Sequence, residues 1–272
     1  MKAAPFEYRR PGSLEEALGI LAEHGEEAKP LAGGQSLIPL LAMRLARPSL
    51  LVDLAGVSEL RGVEQADGEL RVGAMTTEAQ LVRRPLPGIL AAALPHLGHF
   101  QIRSRGTVGG SLAHMDPAAE WPALALLLDA ELELASARGR RTLAAAEFSL
   151  GPLISALEPD ELLLGVRLRG AEGAFGFEEV ERRPGDFALV GAACHRGRLV
   201  VFATGGVPQR LRRCEALLAE GRPAGELRRL AEEEIEATGD VHASAAYRRR
   251  VGAALVERAA GAAGALAAAA RP

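Results

Sequence analysis

Two adjacent-glycine motifs constrain this chain more than any other feature. The first spans residues 31–39, Leu-Ala-Gly-Gly-Gln-Ser-Leu-Ile-Pro, and the second spans residues 107–117, Thr-Val-Gly-Gly-Ser-Leu-Ala-His-Met-Asp-Pro. A glycine pair lets the backbone adopt positive φ and lets another group approach the main chain closely. Successive free N–H groups in such a turn form a nest that binds an anion. Two nests in one domain can hold the two phosphates of a dinucleotide, although two ordinary diglycine turns satisfy the same pattern.

Composition and charge exclude several classes of protein. The 272 residues carry a net charge of −3 and are 48% hydrophobic, which predicts a sizeable core, two or three subdomains and no nucleic-acid partner. Cys194 and Cys214 are the only cysteines and match no metal-ligand spacing. We therefore expect reduced core thiols in a cytoplasmic protein and no iron–sulfur cluster on this chain's own cysteines.

Neither end of the chain predicts a membrane segment. The N-terminus lacks the apolar run of a signal peptide. The Ala-Gly-rich run of residues 259–270 is too short to span a bilayer, so we expect a helix end or a frayed tail there.

Turn signals and hydrophobic periodicity predict three successive units. Residues 1–56 form a small α/β unit, in which Ser13 and Glu16 make a capping box at the start of the first helix. Residues 57–170 form an α+β unit with a largely antiparallel sheet, including a hairpin around Asp67-Gly68. Residues 171–272 carry three strands and then a helix cluster. The expected strands are 6–8, 29–32, 50–54, 131–135, 162–168, 175–181, 187–194 and 199–204; the expected helices are 14–25, 37–45, 78–84, 89–97, 120–129, 211–219, 225–238 and 243–263, with turns at 138–141 and 196–197.

The glycine motifs differ from the familiar phosphate-binding patterns. Neither Gly-x-Gly-x-x-Gly nor a loop ending in Gly-Lys-Ser occurs, so a dinucleotide needs a different cradle. Lys29, before the first motif, either adds a positive charge near a phosphate or is an exposed lysine without a role. Ser111 lacks the final glycine of a hydrolase elbow, which argues against a serine nucleophile.

Residues 114–120 admit three interpretations. His114, Asp116 and Glu120 can be drawn as metal ligands, but His-x-Asp pairs are common by chance, and we predict no metal. Asp116 can instead cap a helix that has Pro117 at its first position and Glu120 completing a capping box. In the third interpretation, Glu120 accepts hydrogen bonds from ribose hydroxyls.

Four motifs, in order and at suitable spacing, resemble the FAD-binding medium subunits of the molybdenum hydroxylases, which include aerobic carbon monoxide dehydrogenase and xanthine dehydrogenase. They are residues 29–39, residues 73–77 (Gly-Ala-Met-Thr-Thr), residues 106–120 and residues 185–188 (Gly-Asp-Phe-Ala). The resemblance covers essentially the whole chain. It implies an α+β fold, in which a two-lobed FAD-binding domain (1–56 and 57–170) precedes a C-terminal three-stranded sheet with a helix cluster (171–272).

The resemblance also implies the cofactor-binding residues. The two glycine motifs hold the FAD pyrophosphate, Glu120 binds the adenosine side, and Phe187 packs near the isoalloxazine ring. The full set is Lys29, Pro30, Leu31, Ala32, Gly33, Gly34, Gln35, Ser36, Leu97, Thr107, Val108, Gly109, Gly110, Ser111, Glu120, Leu164 and Phe187. Some relatives carry a lysine near the flavin where this chain has Glu178 or Glu179, and an acidic group there disfavours an anionic reduced flavin.

The function implied is electron transfer within a three-component enzyme. A large subunit carries the molybdenum cofactor, a small subunit carries two two-iron two-sulfur clusters, and the flavin on this chain passes electrons to a quinone, NAD or another acceptor. A dimer of heterotrimers is expected in the cytoplasm, either free or attached peripherally to the inner membrane face through its partners. No catalytic residue is assigned, because the flavin performs the redox chemistry. The alternatives are a stand-alone FAD reductase or oxidase and a flavin-free assembly subunit, and the substrate of the complex stays open.

Overall fold

The N-terminal unit is a three-stranded parallel sheet with two helices. The structure, a computed structural model, describes residues 2–266. The strands pair in the order β1-β3-β2. The elements are β1 (Glu7–Arg9), α1 (Leu14–His24), β2 (Ala28–Leu31), α2 (Leu37–Ala42) and β3 (Leu50–Asp53).

The capping box predicted at α1 is half formed. Ser13 Oγ accepts a hydrogen bond from the Glu16 N–H at 3.2 Å, as an N-cap residue should. The Glu16 carboxylate turns to the N–H of Gly12 at 2.8 Å instead of that of Ser13. The amide of Glu16 at the helix start therefore has an acceptor, and the helix begins at Leu14, where the sequence predicts it.

The middle unit is built on a five-stranded antiparallel sheet of order β4-β5-β10-β6-β7. Asp67 and Gly68 both have positive φ, 52° and 75°, as the predicted two-residue hairpin turn requires. The elements are β4 (Val63–Ala66), β5 (Glu69–Gly73), α3 (Glu78–Leu81), α4 (Gly88–Ala93), α5 (Phe100–Arg105), α6 (Val108–His114), α7 (Glu120–Leu127), β6 (Glu131–Ser136), β7 (Gly139–Ala144), α8 (Ala145–Phe148), β8 (Ser149–Gly151), β9 (Ile154–Ser155) and β10 (Leu162–Arg169).

Three expectations for this unit are wrong in detail. The turn predicted at 138–141 closes earlier, and Arg140 and Arg141 lie in β7. Arg141 then reaches the buried Glu161 at 2.6 Å, which favours the strand conformation. Residues 100–105 form α5, for which no helix was predicted, and α3 and α4 end several residues early because Pro85 and Pro95 cannot continue a helix hydrogen-bond ladder.

The C-terminal unit has four antiparallel strands, in the order β11-β12-β13-β14, rather than the three predicted. The fourth strand is only two residues long, too short for any periodicity to reveal. The predicted run 259–270 is helical to residue 262, and its residues 267–270 lie outside the described part. The elements are β11 (Phe175–Glu181), β12 (Ala188–His195), β13 (Arg198–Phe202), β14 (Gln209–Arg210), α9 (Arg212–Ala219), α10 (Ala224–Glu234) and α11 (Ala245–Ala262).

The C-terminal sheet is buried on both faces. Along β13, Val200 and Phe202 join the core of the middle unit, whereas Leu199 and Val201 join a second core formed with α9, α10 and α11. This alternation is the two-residue period of a strand. Cys194 and Cys214 belong to the second core and are unpaired, and burial raises the pKa of both thiols, to about 12 for Cys194. Within residues 2–266 no helix combines the length and apolarity needed to cross a membrane.

Candidate cofactor-binding site

The first glycine motif forms a half-buried loop between β2 and α2. Gly34 has φ of 75°, which an L side chain tolerates poorly. Gly33 lies so close to the end of α5 that a Cβ atom there would stand 2.1 Å from the carbonyl oxygen of Arg105. Among residues 2–266, the amides of Gly33, Gly34, Gln35 and Ser36 donate no backbone or side-chain hydrogen bond. The loop therefore presents the row of free N–H groups that an anion nest requires.

The second glycine motif does not form a nest of free amides, which was one of the two alternatives that the sequence left open. Gly109 and Gly110 lie in the first turn of α6 with ordinary negative φ, since neither is among the positive-φ glycines. The amides of residues 108–111 are already occupied. Val108 and Gly109 donate to the carbonyls of Thr76 and Ala74, while Gly110 and Ser111 donate to the side chain and carbonyl of Thr107. Gly109 is required for packing, because a Cβ there would stand 2.4 Å from Ala74 Cβ.

Tertiary packing brings the two motifs together. A Cβ atom on Gly110 would lie 3.5 Å from Ala32 Cβ, and one on Gly33 would lie 3.0 Å from the Cα of Gly106. Lys29, exposed on β2, lies near enough to His114 of α6 for its charge to act on the imidazole. Burial lowers the pKa of His114, and the Lys29 charge also lowers it, whereas the Asp116 charge raises it. The free amides, the N-terminus of α6 and one lysine thus lie close together around the contact between the two motifs, a region that we call the cleft.

The remaining predicted residues lie in different environments. Pro30 and Leu31 form the end of β2 leading into the loop. Leu97 and Leu164 are each 5% exposed and belong to two different hydrophobic clusters. Phe187, just before β12, is 68% exposed. An aromatic ring left in water is an unfavourable arrangement that a bound planar group would relieve.

Two buried carboxyl groups border the cleft. Glu120 is 5% exposed, and burial, reinforced by the charges of Glu78 and Asp116, raises its pKa to about 8. Glu78 is 4% exposed; burial raises its pKa to about 7, and its Oε2 has no hydrogen-bond partner in the described chain. That Oε2 would stand 3.0 Å from a Cβ on Gly106, which places Glu78 directly beside the second motif.

The helix cap, one of the three interpretations of residues 114–120, does not form. The helix α7 begins at Glu120 itself, with Ala119 at the N-cap position. Asp116 Oδ1 accepts from the Ala118 N–H at 2.9 Å, in a local turn that precedes the helix. Glu120 therefore does not cap α7.

Sequence reasoning missed a cluster at the C-terminal side of this region. Glu179 and Glu181 on β11 meet His96, and the ligand atoms of the three lie within 4.8 Å of one another. Glu178, on the other face of β11, pairs with Arg258 of α11 at 2.9 Å. The two-residue period of a strand could have indicated that Glu179 and Glu181 share one face of β11 and that Glu178 lies on the other. No local pattern indicated that His96 would join them.

Comparison with known proteins identifies the family. Residues 4–168 match the family model described as the FAD binding domain in molybdopterin dehydrogenase, and residues 175–263 match the carbon monoxide dehydrogenase flavoprotein C-terminal domain. The chain belongs to the FAD-binding medium subunits of the molybdenum hydroxylases. The resemblance inferred from the four motifs is thereby confirmed, together with FAD as the cofactor of this chain and its place in an oxidoreductase.

Similar proteins agree over nearly their full lengths. The nicotine 6-hydroxylase medium subunit of Paenarthrobacter nicotinovorans is 37% identical, over 95% of this chain and 97% of that subunit. A chain of quinoline 2-oxidoreductase from Pseudomonas putida 86 superimposes with a TM-score of 0.90 at 37% identity, covering 98% of this chain and 100% of that one. Carbon monoxide dehydrogenase from Hydrogenophaga pseudoflava, in a form lacking the Mo-pyranopterin moiety of the molybdenum cofactor, contains a chain with a TM-score of 0.88, 31% identity and the same coverage.

The residues present fit FAD. A dinucleotide needs donors for its pyrophosphate and room for close backbone approach, and the loop of residues 33–36 supplies both. Its free amides are donors that an anion can use, and the absence of a Cβ at Gly33 and Gly110 lets the loop pack closely against the second motif. The α+β fold predicted for this family is also confirmed.

Proposed function

We propose that FAD binds non-covalently in the cleft between the loop of residues 33–36 and α6. The observation that carries the proposal is that the amides of Gly33, Gly34, Gln35 and Ser36 donate no hydrogen bond within the described chain. In the proposal, these amides hold the pyrophosphate. Lys29 and the N-terminus of α6 add positive potential on either side. Because the amides of residues 108–111 are engaged within the chain, Thr107, Val108, Gly109, Gly110 and Ser111 act by holding α6 against the first loop.

The other residues of the family set take supporting roles in this proposal. Glu120 accepts hydrogen bonds from ribose hydroxyls, a role suited to a buried carboxyl group that caps no helix. Leu97 and Leu164 form the rigid apolar wall, and Phe187 packs on the flavin ring system. FAD supplies the electron chemistry, whereas the chain orients it, keeps water from one face and sets the local charge.

We further propose the route of electrons and the assembly. Electrons enter from two-iron two-sulfur clusters on a small subunit and leave to a quinone, NAD or another acceptor, while a large subunit oxidises the substrate at its molybdenum cofactor. Several similar proteins are named as medium subunits or medium chains. The two buried cysteines cannot supply a cluster's thiolates, which is why the clusters are placed on a partner. The assembly proposed is a dimer of heterotrimers in the cytoplasm, with this chain divided at residues 56 and 170.

Absorbance spectroscopy tests the cleft directly. The purified chain, titrated with FAD, should give a flavin spectrum that bleaches with dithionite. Gly33→Ala drives a Cβ into the Arg105 carbonyl and should abolish binding, whereas Gly19→Ala, at an exposed helix position with nothing within 4 Å, should bind as the wild type does.

A second variant keeps the test valid if Gly33→Ala fails to fold. Lys29→Gln removes one exposed charge and should weaken FAD binding several-fold, with a shallower salt dependence. Absence of FAD both from the isolated chain and from the chain co-expressed with its partner subunits would overturn the proposal. Turnover of a substrate by this chain alone would favour a stand-alone reductase instead.

A further inference from the structure

Three potential metal ligands converge beside the cleft. His96 lies in the turn after α4, and Glu179 and Glu181 lie two residues apart on β11, so that the strand period puts both carboxylates on one face. The imidazole nitrogen and the two carboxylate oxygens lie within 4.8 Å of one another, and all three residues are half-buried. Two segments distant in sequence thus present one nitrogen and two oxygens to a single point.

Within residues 2–266, no hydrogen-bond donor compensates the buried carboxylate of Glu179. Each carboxylate oxygen of Glu179 exposes less than 1 Å² and has no hydrogen-bond partner within residues 2–266. Glu181 accepts the Gly185 N–H at 3.0 Å through one oxygen. Removing a carboxylate from water without a partner costs several kcal/mol, so groups of this kind are paired, protonated or bound to a cation.

Glu120 adds a third carboxyl group near the cluster. Its side chain is 5% exposed, and its carboxyl group accepts a hydrogen bond from its own backbone N–H. It lies close enough to Glu179 and Glu181 for their charges to act on one another. Three carboxyl groups therefore surround this point, whereas the nearby Glu178 is neutralised on the opposite face of β11 by Arg258.

We propose that His96, Glu179 and Glu181 bind one divalent transition-metal ion, with Glu120 as a neighbouring carboxyl group. A mixed set of imidazole and carboxylates suits Zn²⁺ and related ions, whereas Mg²⁺ and Ca²⁺ favour oxygen ligands alone. Ligands about 2.1 Å from one ion lie roughly 3–4 Å apart, so small side-chain rotations close the set. The ion would neutralise the cluster and fix β11 against the turn that carries His96. This site does not depend on the proposed electron route.

Calorimetric titration tests the proposal on the full-length chain. After treatment with a chelator, the wild type should bind one Zn²⁺ per chain, and Zn²⁺ should raise its thermal unfolding midpoint. Glu179→Gln keeps the shape and removes the uncompensated charge, and it should bind Zn²⁺ at least about 10-fold more weakly and lose the thermal shift. Glu178→Gln is the matched control, one residue away on the opposite face, and should retain both.

His96→Gln is the second ligand variant and covers the case in which Glu179→Gln does not fold. Zn²⁺ binding of equal strength in the wild type and in both ligand variants would show surface binding only and overturn the site, as would no binding at all. FAD content is measured in parallel by absorbance, so that a failure of Zn²⁺ binding and a failure of FAD binding are scored separately.

Discussion

At the scale of single residues, the glycines of the two motifs are required for different physical reasons. Gly34 supplies a positive φ, whereas Gly33, Gly109 and Gly110 allow close approach between segments. The sequence predicted both properties of a glycine pair, but it could not say which applied where. That depends on what packs against each position. The packing partners, Ala74 and Arg105, lie outside both motifs in the sequence.

Gly109→Ala should destabilise the chain by about 2 kcal/mol, because the new Cβ would stand 2.4 Å from Ala74 Cβ and overpack the core. Urea unfolding followed by circular dichroism measures the loss. Gly225→Ala, in the first turn of α10 with nothing within 4 Å, should leave stability unchanged or slightly higher. Equal losses in the two variants would contradict the packing argument.

Glu120 should make the FAD-free chain less stable as pH rises. Its pKa is about 8 in the folded chain and 4.5 in its ordinary state. The folded chain therefore holds a proton that the unfolded chain has lost between these values, and the free energy of unfolding falls from about pH 4.5 to about pH 8. Glu120→Gln should reduce this fall by on the order of a few kcal/mol.

The measurement is urea unfolding at pH 5 and pH 8 in the presence of a chelator. Glu220→Gln, which removes an exposed carboxylate, is the control and should preserve the wild-type pH dependence. If Glu120→Gln kept the full fall between the two pH values, the carboxyl group would not be the cause.

At the scale of secondary-structure elements, local signals were accurate where they were strong. The turn at Arg196-Gly197 has φ of 49° and 76°, and it joins β12 to β13 as predicted. Elements without such signals were missed. The two residues of β14 are too few for a period, and α5 carries exposed apolar side chains at Phe100 and Ile102 that point to no core.

Ser244→Ala should lower stability by about 1 kcal/mol, because the Ser244 hydroxyl caps α11 by accepting the Tyr247 N–H at 3.1 Å. Thermal unfolding followed at 222 nm, a wavelength that reports helix, measures the shift. Ser58→Ala removes an exposed hydroxyl that bonds only its neighbour Glu59 in the described chain, and it should cost little. An equal shift in both variants would argue against the cap.

At the scale of the whole molecule, the C-terminal sheet is shared by two cores. Val200 and Phe202 pack into the middle unit, and the Ala203 N–H donates to the Pro117 carbonyl at 2.9 Å. Contacts of this kind couple the units energetically, so we expect one cooperative unfolding transition.

Arg248→Met tests that coupling. The 5% exposed guanidinium donates to the carbonyls of Leu189 and Thr238 and pairs with Asp240 at 2.7 Å, so its removal should cost about 3 kcal/mol in the C-terminal unit. Trp121, the sole tryptophan, lies buried in the middle unit and reports on it by fluorescence. Fluorescence and circular dichroism should shift together; an unshifted fluorescence transition would show independent units.

The sequence by itself determined the order of the longer elements, the α+β class and, through four motifs in register, the family. Periodicity, turn residues and caps act between neighbours in the chain, and they remain legible without the fold. Tertiary structure decided which amides stay free. The amides of residues 33–36 stay free because no strand or helix among residues 2–266 pairs with the loop, whereas the carbonyls of Ala74 and Thr76 accept from the amides of Gly109 and Val108 at the start of α6. It also brought His96 to Glu179, a meeting that no local pattern encodes.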